Sequence, residues 1–231
     1  MFQVRAGKKE RAMVKVGVCL SGCGVFDGSE ITEAVCTLLA LDRAGAQVVC
    51  MAPDMELDVI DHVTQKATGE KRNVLVEAAR IARGEILDVA RVKAGDLDAL
   101  IFPGGFGAAK NLCDFASAGA DGQIHPEVAR LAWEVHRAGK PLGAICIAPA
   151  LLALLFKGRK EGVKLTIGTD EGTARVLESL GAKHENHPPE EICLDEENKV
   201  VTTPAYMLAQ GPAQVWAGIE RLVQAVLSMA G

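Results

Sequence analysis

Short apolar runs alternate with longer amphipathic ones along this chain, and that rhythm predicts its architecture. Val14–Leu20 (VKVGVCL) is a β-branched run that reads as a buried strand and ends in the loop SGCGVFDGS. From Glu30 to Ala44, apolar positions such as Ala34, Leu38 and Leu41 recur at helical spacing, with Gly45 as the stop. Ala46–Ala52 (AQVVCMA) predicts a second buried strand, closed by Pro53. Residues 54–93 carry the weakest pattern, with a helix expected near Asn73–Arg83 and short extended pieces around it. Asp98–Phe102 (DALIF) predicts the next core strand, ending at PGGFG, and Pro126–Ala138 an amphipathic helix ended by Gly139. Leu142–Ile145 reads as a strand, Ala148–Phe156 as a helix, Leu165–Gly168 (LTIG) as a strand and Asp170–Leu180 as a helix closed by Gly181. Ile192–Asp195 and Lys199–Thr203 read as two strands across an acidic turn, and Ala213–Met229 as a final helix.

Strand and helix in alternation predict an α/β fold, a mostly parallel sheet with helices on both faces. No repeat, linker or low-complexity tract divides residues 13–231, which read as a single domain. Residues 1–12 are a basic stretch without a hydrophobic segment; they read as a disordered or loosely attached arm, not a secretory signal.

Composition narrows the function classes. Of the 231 residues, 49% are hydrophobic and 24% charged, the balance of a soluble globular protein. A net charge of -5 and only 4% aromatics argue against nucleic acid and acidic membranes, which want basic surfaces or stacking platforms. No apolar run approaches the ~20 residues that cross a bilayer. The seven cysteines are odd in number and scattered, with no CxxC pair. A reducing compartment follows: cytoplasmic, or the mitochondrial matrix if the source is eukaryotic. Cys19 and Cys50 lie inside apolar runs and read as packing residues. With no HxH or CxxC, no metal site is expected. PGGFG lacks the Lys–Ser/Thr ending of a phosphate loop, so no nucleotide cofactor is expected either.

In such a sheet ligands gather at the carboxyl ends of the strands, and four loops of unusual composition converge there. In GAICIAPA a strand runs into Cys146 and a helix runs out, with Ala144 and Ala148 two residues to either side. A nucleophile on a sharp strand-to-helix elbow needs small neighbours, and the helix start would favour its thiolate. The plain alternative is a core cysteine between strand and helix. Gly104 and Gly105, after DALIF, could turn a backbone N–H toward that thiol. Gly105 and Ile147 would then form an oxyanion hole, unless PGG is simply a strand-ending turn. Glu30 and Glu33 share a face at the start of the first helix. A carboxyl beside a thiolate would share its proton, whereas helix capping, with Ser29 as N-cap, is the ordinary role; capping suits Glu30, and Glu33 stands between the two. Thr169 and Asp170 follow LTIG. That strand reads as adjacent to the nucleophile's own, which puts their side chains at the site edge; the plain alternative is that Asp170 caps the next helix.

These residues resemble a known group. AICIAP, FPGG, GSEITE and LTIGTD occur in the order and rough spacing of the ThiJ/PfpI superfamily, whose members share a class I glutamine-amidotransferase-like fold. SGCGVFDGSEI, PGGFGAAKNL and TTPAYMLAQ look like its ElbB branch, known as isoprenoid-biosynthesis proteins with an amidotransferase-like domain or as glyoxalases, and the resemblance covers residues 13–231. It implies a flavodoxin-like three-layer sandwich and a homodimer without cofactor. Carried over by position, Cys146 is the elbow nucleophile, Glu33 the thiol-paired glutamate and Gly105 the oxyanion glycine. The implied reaction converts glyoxal or methylglyoxal, small reactive dicarbonyls, to the 2-hydroxy acid through a Cys146 hemithioacetal. The other implied class is a non-enzymatic protein, redox-responsive or accessory to a pathway. One departure matters: Gly168-Thr169-Asp170 stands where many relatives carry a triad histidine. His62, His125 and His136 lie elsewhere, and His184 and His187 match only a loosely comparable later segment. Glutamine hydrolysis is therefore disfavoured, and a cysteine–glutamate pair acting on an electrophilic carbonyl fits better.

Overall fold

The structure is a computed structural model that describes residues 13–160 and 162–231; the arm expected over residues 1–12 lies outside them. Its middle layer is a seven-stranded sheet of β1 (Lys15–Cys19), β2 (Gln47–Ala52), β5 (Leu87–Asp88), β6 (Ala99–Phe102), β7 (Leu142–Ile145), β10 (Cys193–Asp195) and β11 (Val200–Thr203). Their spatial order is β10-β11-β7-β6-β1-β2-β5. Neighbours run parallel except for the β10–β11 hairpin. This is the flavodoxin-like α/β arrangement expected.

Strand geometry explains why both faces are covered. Successive side chains point to opposite sides, so Ala99 and Ile101 of β6 enter one core while Leu100 and Phe102 enter the other. On the first face pack α1 (Ile31–Arg43), α2 (Val74–Ile81) and α8 (Pro212–Ala230); on the second pack α3 (Phe106–Lys110), α4 (Phe115–Ala118), α5 (Pro126–Arg137), α6 (Pro149–Phe156) and α7 (Glu171–Ser179). α5 shows the logic: Val128, Leu131, Ala132 and Val135, at helical spacing, are its buried residues. Each large apolar side chain so buried contributes roughly 1.5–3 kcal/mol. The chain builds outward from β1 to β2 and β5, then returns to β6 on the other side of β1. That reversal splays the loops after β1 and β6 and opens a crevice at their carboxyl ends.

Two regions depart from expectation. The LTIG segment does not join the main sheet: β8 (Lys164–Leu165) pairs with β9 (Lys183–His184) in a ribbon of its own. Its amides go instead to side chains of the hairpin, Lys164 N–H to Asp195 Oδ2 at 2.7 Å and Thr166 N–H to Thr202 Oγ1 at 2.9 Å. The neighbours of β7 are thus β6 and β11. Residues 54–73 form a hairpin of β3 (Glu56–Asp61) and β4 (Lys66–Asn73), and β4 is exposed along nearly its whole length. No apolar alternation marks it, so the sequence shows little there. All seven cysteines are unpaired. Among the described residues no helix is long and apolar enough to cross a membrane.

Candidate active site

Cys146 sits at the end of β7 with φ +63, in the left-handed region that side chains other than glycine's seldom adopt. Such strain costs on the order of 1–3 kcal/mol and persists because the surroundings enforce it. Its N–H is held by Thr203 O at 2.9 Å, Ala148 N–H reaches back to Ile145 O at 3.0 Å, and Pro149 opens α6. This is the strand-to-helix elbow read from GAICIAPA, with Ala144 and Ala148 fully buried beside it.

Glu33 comes to the thiol from α1. Glu30, not Ser29, caps that helix: its Oε2 accepts the Glu33 N–H at 2.7 Å. Ser29 is buried and closes the loop after β1, its Oγ accepting the Ser21 N–H at 2.9 Å. Glu30 N–H donates to Gly104 O at 2.9 Å and Gly107 N–H to Gly28 O at 2.9 Å, which tie the helix start to the PGG turn. Glu33 is 0% exposed. Its Oε1 accepts the Tyr206 N–H at 3.1 Å, while Oε2 has no hydrogen-bond partner among the described residues. Oε2 and the Cys146 side chain converge on the same point: a Cβ at Gly104 would collide with both.

The electrostatics follow from burial. Loss of water pushes the Glu33 carboxyl up to about 8; the Tyr206 N–H opposes this and the nearby Glu30 charge adds to it. Burial also raises the Cys146 thiol well above its ordinary range, and the Glu33 charge raises it further. The N–H groups of Gly105 and Ile147, the two expected to form an oxyanion hole, face the sulfur and pull the other way. A thiolate stabilised by the helix start was expected; burial beside an acid outweighs that dipole, and the thiol keeps its proton. The first proton lost belongs to the pair rather than to either residue. Gly105 has φ +92, and a side chain there would strike the backbone of Gly28 and Glu30, so only glycine fits.

Thr169 and Asp170 are exposed. Asp170 caps α7, accepting the Thr173 N–H at 2.7 Å, and that amide holds its carboxyl below the usual range. The strand adjacency on which their edge position was expected does not hold, because β7 lies between β6 and β11. No histidine joins the pair either. His184 Nε2 accepts the Ile167 N–H at 3.2 Å, His62 bonds Phe26 and Ile60, His187 lies against Glu185 and Glu191, and His136 stacks near Trp133 and Phe156. His125 Nδ1 is buried without a partner. What sequence reasoning missed is Tyr206, whose backbone, not its ring, serves Glu33 from 173 residues away. The string TTPAYMLAQ was visible, but nothing in it names an amide as the functional group. Beside the elbow, Phe106, Phe115, Ile147, Thr173 and Val176 help to line a largely apolar cleft of about 480 Å³.

A parallel α/β sheet with a strained cysteine elbow, a buried glutamate against the thiol and two amides on the sulfur define a class of protein. The chain belongs to the DJ-1/PfpI family, whose sequence profile matches residues 23–206. It is 47% identical over 232 residues to the human "Glutamine amidotransferase-like class 1 domain-containing protein 3, mitochondrial", covering 96% of this chain and 85% of that one. Among solved structures, an isoprenoid biosynthesis protein with amidotransferase-like domain from Ehrlichia chaffeensis superposes with a TM-score of 0.86 at 36% identity, over 93% of this chain and 99% of that one. Glyoxalase III from Candida albicans superposes with a TM-score of 0.61 over 94% and 97% of the two chains; at 18% identity it shares the fold alone.

Proposed function

We propose that the protein is a cofactor-independent glyoxalase-type enzyme that converts glyoxal or methylglyoxal to the 2-hydroxy acid. The observation that carries this reading is the unpartnered Glu33 Oε2 facing Cys146 with no histidine alongside. A pair with one mobile proton suits an internal proton shift better than amide hydrolysis, which needs an imidazole to protonate the leaving amine. Cys146 Sγ adds to the aldehyde carbon as its proton passes through Glu33 to the new hydroxyl, giving a hemithioacetal. The Gly105 and Ile147 N–H groups stabilise the oxygen while it carries charge. The Glu33 carboxylate takes the hydrogen of that carbon and returns it to the adjacent carbonyl carbon through an enediol, leaving a thioester. Water cleaves the thioester, releasing the 2-hydroxy acid and restoring the thiol. The near-complete burial of Cys146, at 8% exposure, suits a substrate of few atoms.

The fold shared with the Candida glyoxalase supports this assignment, and the mitochondrial name of the human relative favours the matrix over the cytoplasm as its compartment. The proposed assembly is a homodimer without nucleic-acid or membrane partners. The test is dicarbonyl turnover by wild type and Cys146→Ser. Hydroxy-acid product from wild type only is expected. Stoichiometric Cys146 sulfinate under mild oxidant, with no turnover, would replace an enzyme with a redox-responsive or accessory protein.

A further inference from the structure

A second cluster of reactive side chains lies away from the elbow. The segment after β9 turns back into β10 and brings Glu185, His187 and Cys193 together, one donor atom from each lying within 4.8 Å of the others. Glu185 Oε2 is 3.7 Å from Cys193 Sγ and 3.5 Å from His187 Nε2. Around a tetrahedral zinc, bonds of about 2.3 Å to sulfur and about 2.0 Å to nitrogen and oxygen put neighbouring donors roughly 3.3–3.5 Å apart. These two edges match those of a metal tetrahedron to within a few tenths of an ångström, and the third pair lies within 4.8 Å.

The remaining contacts orient the same corner. His187 Nδ1 is 3.5 Å from Glu191 Oε2; in the tautomer with its proton on Nδ1, Glu191 accepts that proton and the Nε2 lone pair faces the corner with Glu185. A carboxylate behind a ligating imidazole is the arrangement that fixes metal-binding histidines. Lys164 Nζ, the nearby cation, reaches the other oxygen of Glu185, Oε1, at 3.8 Å. The segment is anchored independently: Glu185 N–H donates to Leu165 O at 3.0 Å, Thr203 Oγ1 to Glu191 O at 2.7 Å, and Gln214 Nε2 to Glu190 Oε1 at 2.6 Å. Pro188 and Pro189 stiffen the turn between. Cys193 is buried at 1% exposure, whereas Glu185 is exposed, so the corner has a closed sulfur side and an open side that admits water.

We propose that Glu185 Oε2, His187 Nε2 and Cys193 Sγ bind a Zn²⁺ ion, with water in the fourth position. One thiolate, one imidazole and one carboxylate form a donor set of the kind zinc takes and magnesium or calcium avoids. The ion displaces the Cys193 thiol proton, which leaves to solvent, so each ion bound releases one proton at a pH where the histidine is neutral. Between the second and third ligands, Glu191 ties the β9–β10 segment to β11 through Thr203, whose own carbonyl holds the Cys146 N–H.

The full chain, stripped with chelator and titrated with Zn²⁺ in a calorimeter, should take up one ion. Titrated with Co²⁺, it should show a near-ultraviolet thiolate-to-cobalt charge-transfer band. Cys193→Ser should abolish that band and weaken Zn²⁺ binding roughly a hundredfold or more; His187→Ala and Glu185→Gln, at partly open positions, should each weaken it at least about tenfold while the chain stays folded. Cys146→Ser should bind Zn²⁺ as wild type does. Absence of stoichiometric Zn²⁺ uptake overturns the proposal. So does a cobalt band that survives Cys193→Ser but disappears in Cys146→Ser, because the ion would then sit on the elbow thiol. Should Cys193→Ser not fold, unweakened binding in both His187→Ala and Glu185→Gln is equally fatal.

Discussion

Glu33 and Cys146 share an environment that penalises charge, and this sets both the pH response and the mutational response of the site. With the Glu33 carboxyl raised to about 8, proton abstraction needs a form that is scarce at neutrality, so kcat/KM should rise with pH through about 8. A profile flat from neutrality to pH 9 would remove Glu33 as the base. The same shift acts on stability with a definite sign. Between the ordinary value of 4.5 and about 8, the folded chain keeps a proton that the unfolded chain has lost. This contribution is therefore complete below the lower value and declines as pH rises to the upper one. Urea unfolding of Glu33→Gln should lack that part of the slope and show a more stable alkaline state. In turnover, Glu33→Gln should lose at least about a hundredfold in kcat, within the usual range for a positioned base. Glu30→Gln should lose far less: its side chain caps α1, so the change costs at most about 1 kcal/mol of stability. Cys23 and Cys36 are only half-buried, so iodoacetamide should reach them before Cys146 at neutral pH, and mass mapping will show the order.

Turns and caps, rather than long elements, decide how the site is held. Gly104→Ala would drive a methyl group into both Cys146 and Glu33, so activity should be lost even if the chain folds, as near-native circular dichroism would reveal. Asp170→Asn should leave kcat and Tm close to wild type, because asparagine caps a helix as well as aspartate; Asp170→Ala should cost about 1 kcal/mol in thermal unfolding without touching kcat. A drop in kcat for Asp170→Asn at unchanged Tm would return it to the site. Legibility also divides at this scale. β1, β6 and β7 were readable as short apolar runs because both of their faces are buried, and α1, α5 and α8 because each buries a periodic face. The Cys146 elbow was readable because small residues crowd a strand-to-helix turn. α3 and α4 are too short for periodicity, and β8 looked like a sheet strand because LTIG is apolar. Its place beside the hairpin depends on hydroxyl and carboxyl groups of Thr202 and Asp195, which no local pattern reveals.

Across the whole molecule, the candidate site collects loops from both sides of the point where strand order reverses, plus two contacts from the last third of the chain. Glu185, His187 and Cys193 were equally hidden, since their spacing matches no common ligand motif and only the return of the chain into β10 gathers them. The contact between Tyr206 N–H and Glu33 Oε1 has a consequence for the order of assembly during synthesis. The acid leaves the ribosome early, the thiol later, and the amide that fixes the acid later still. Until β11 and the turn after it emerge, Cys146 also lacks the Thr203 carbonyl that holds its own N–H. A nascent chain that has exposed both cysteine and glutamate is therefore still chemically idle. Ribosome-stalled chains ending near residue 190 should bind dicarbonyls no better than the Cys146→Ser protein, and competence should appear only when the closing strand is released.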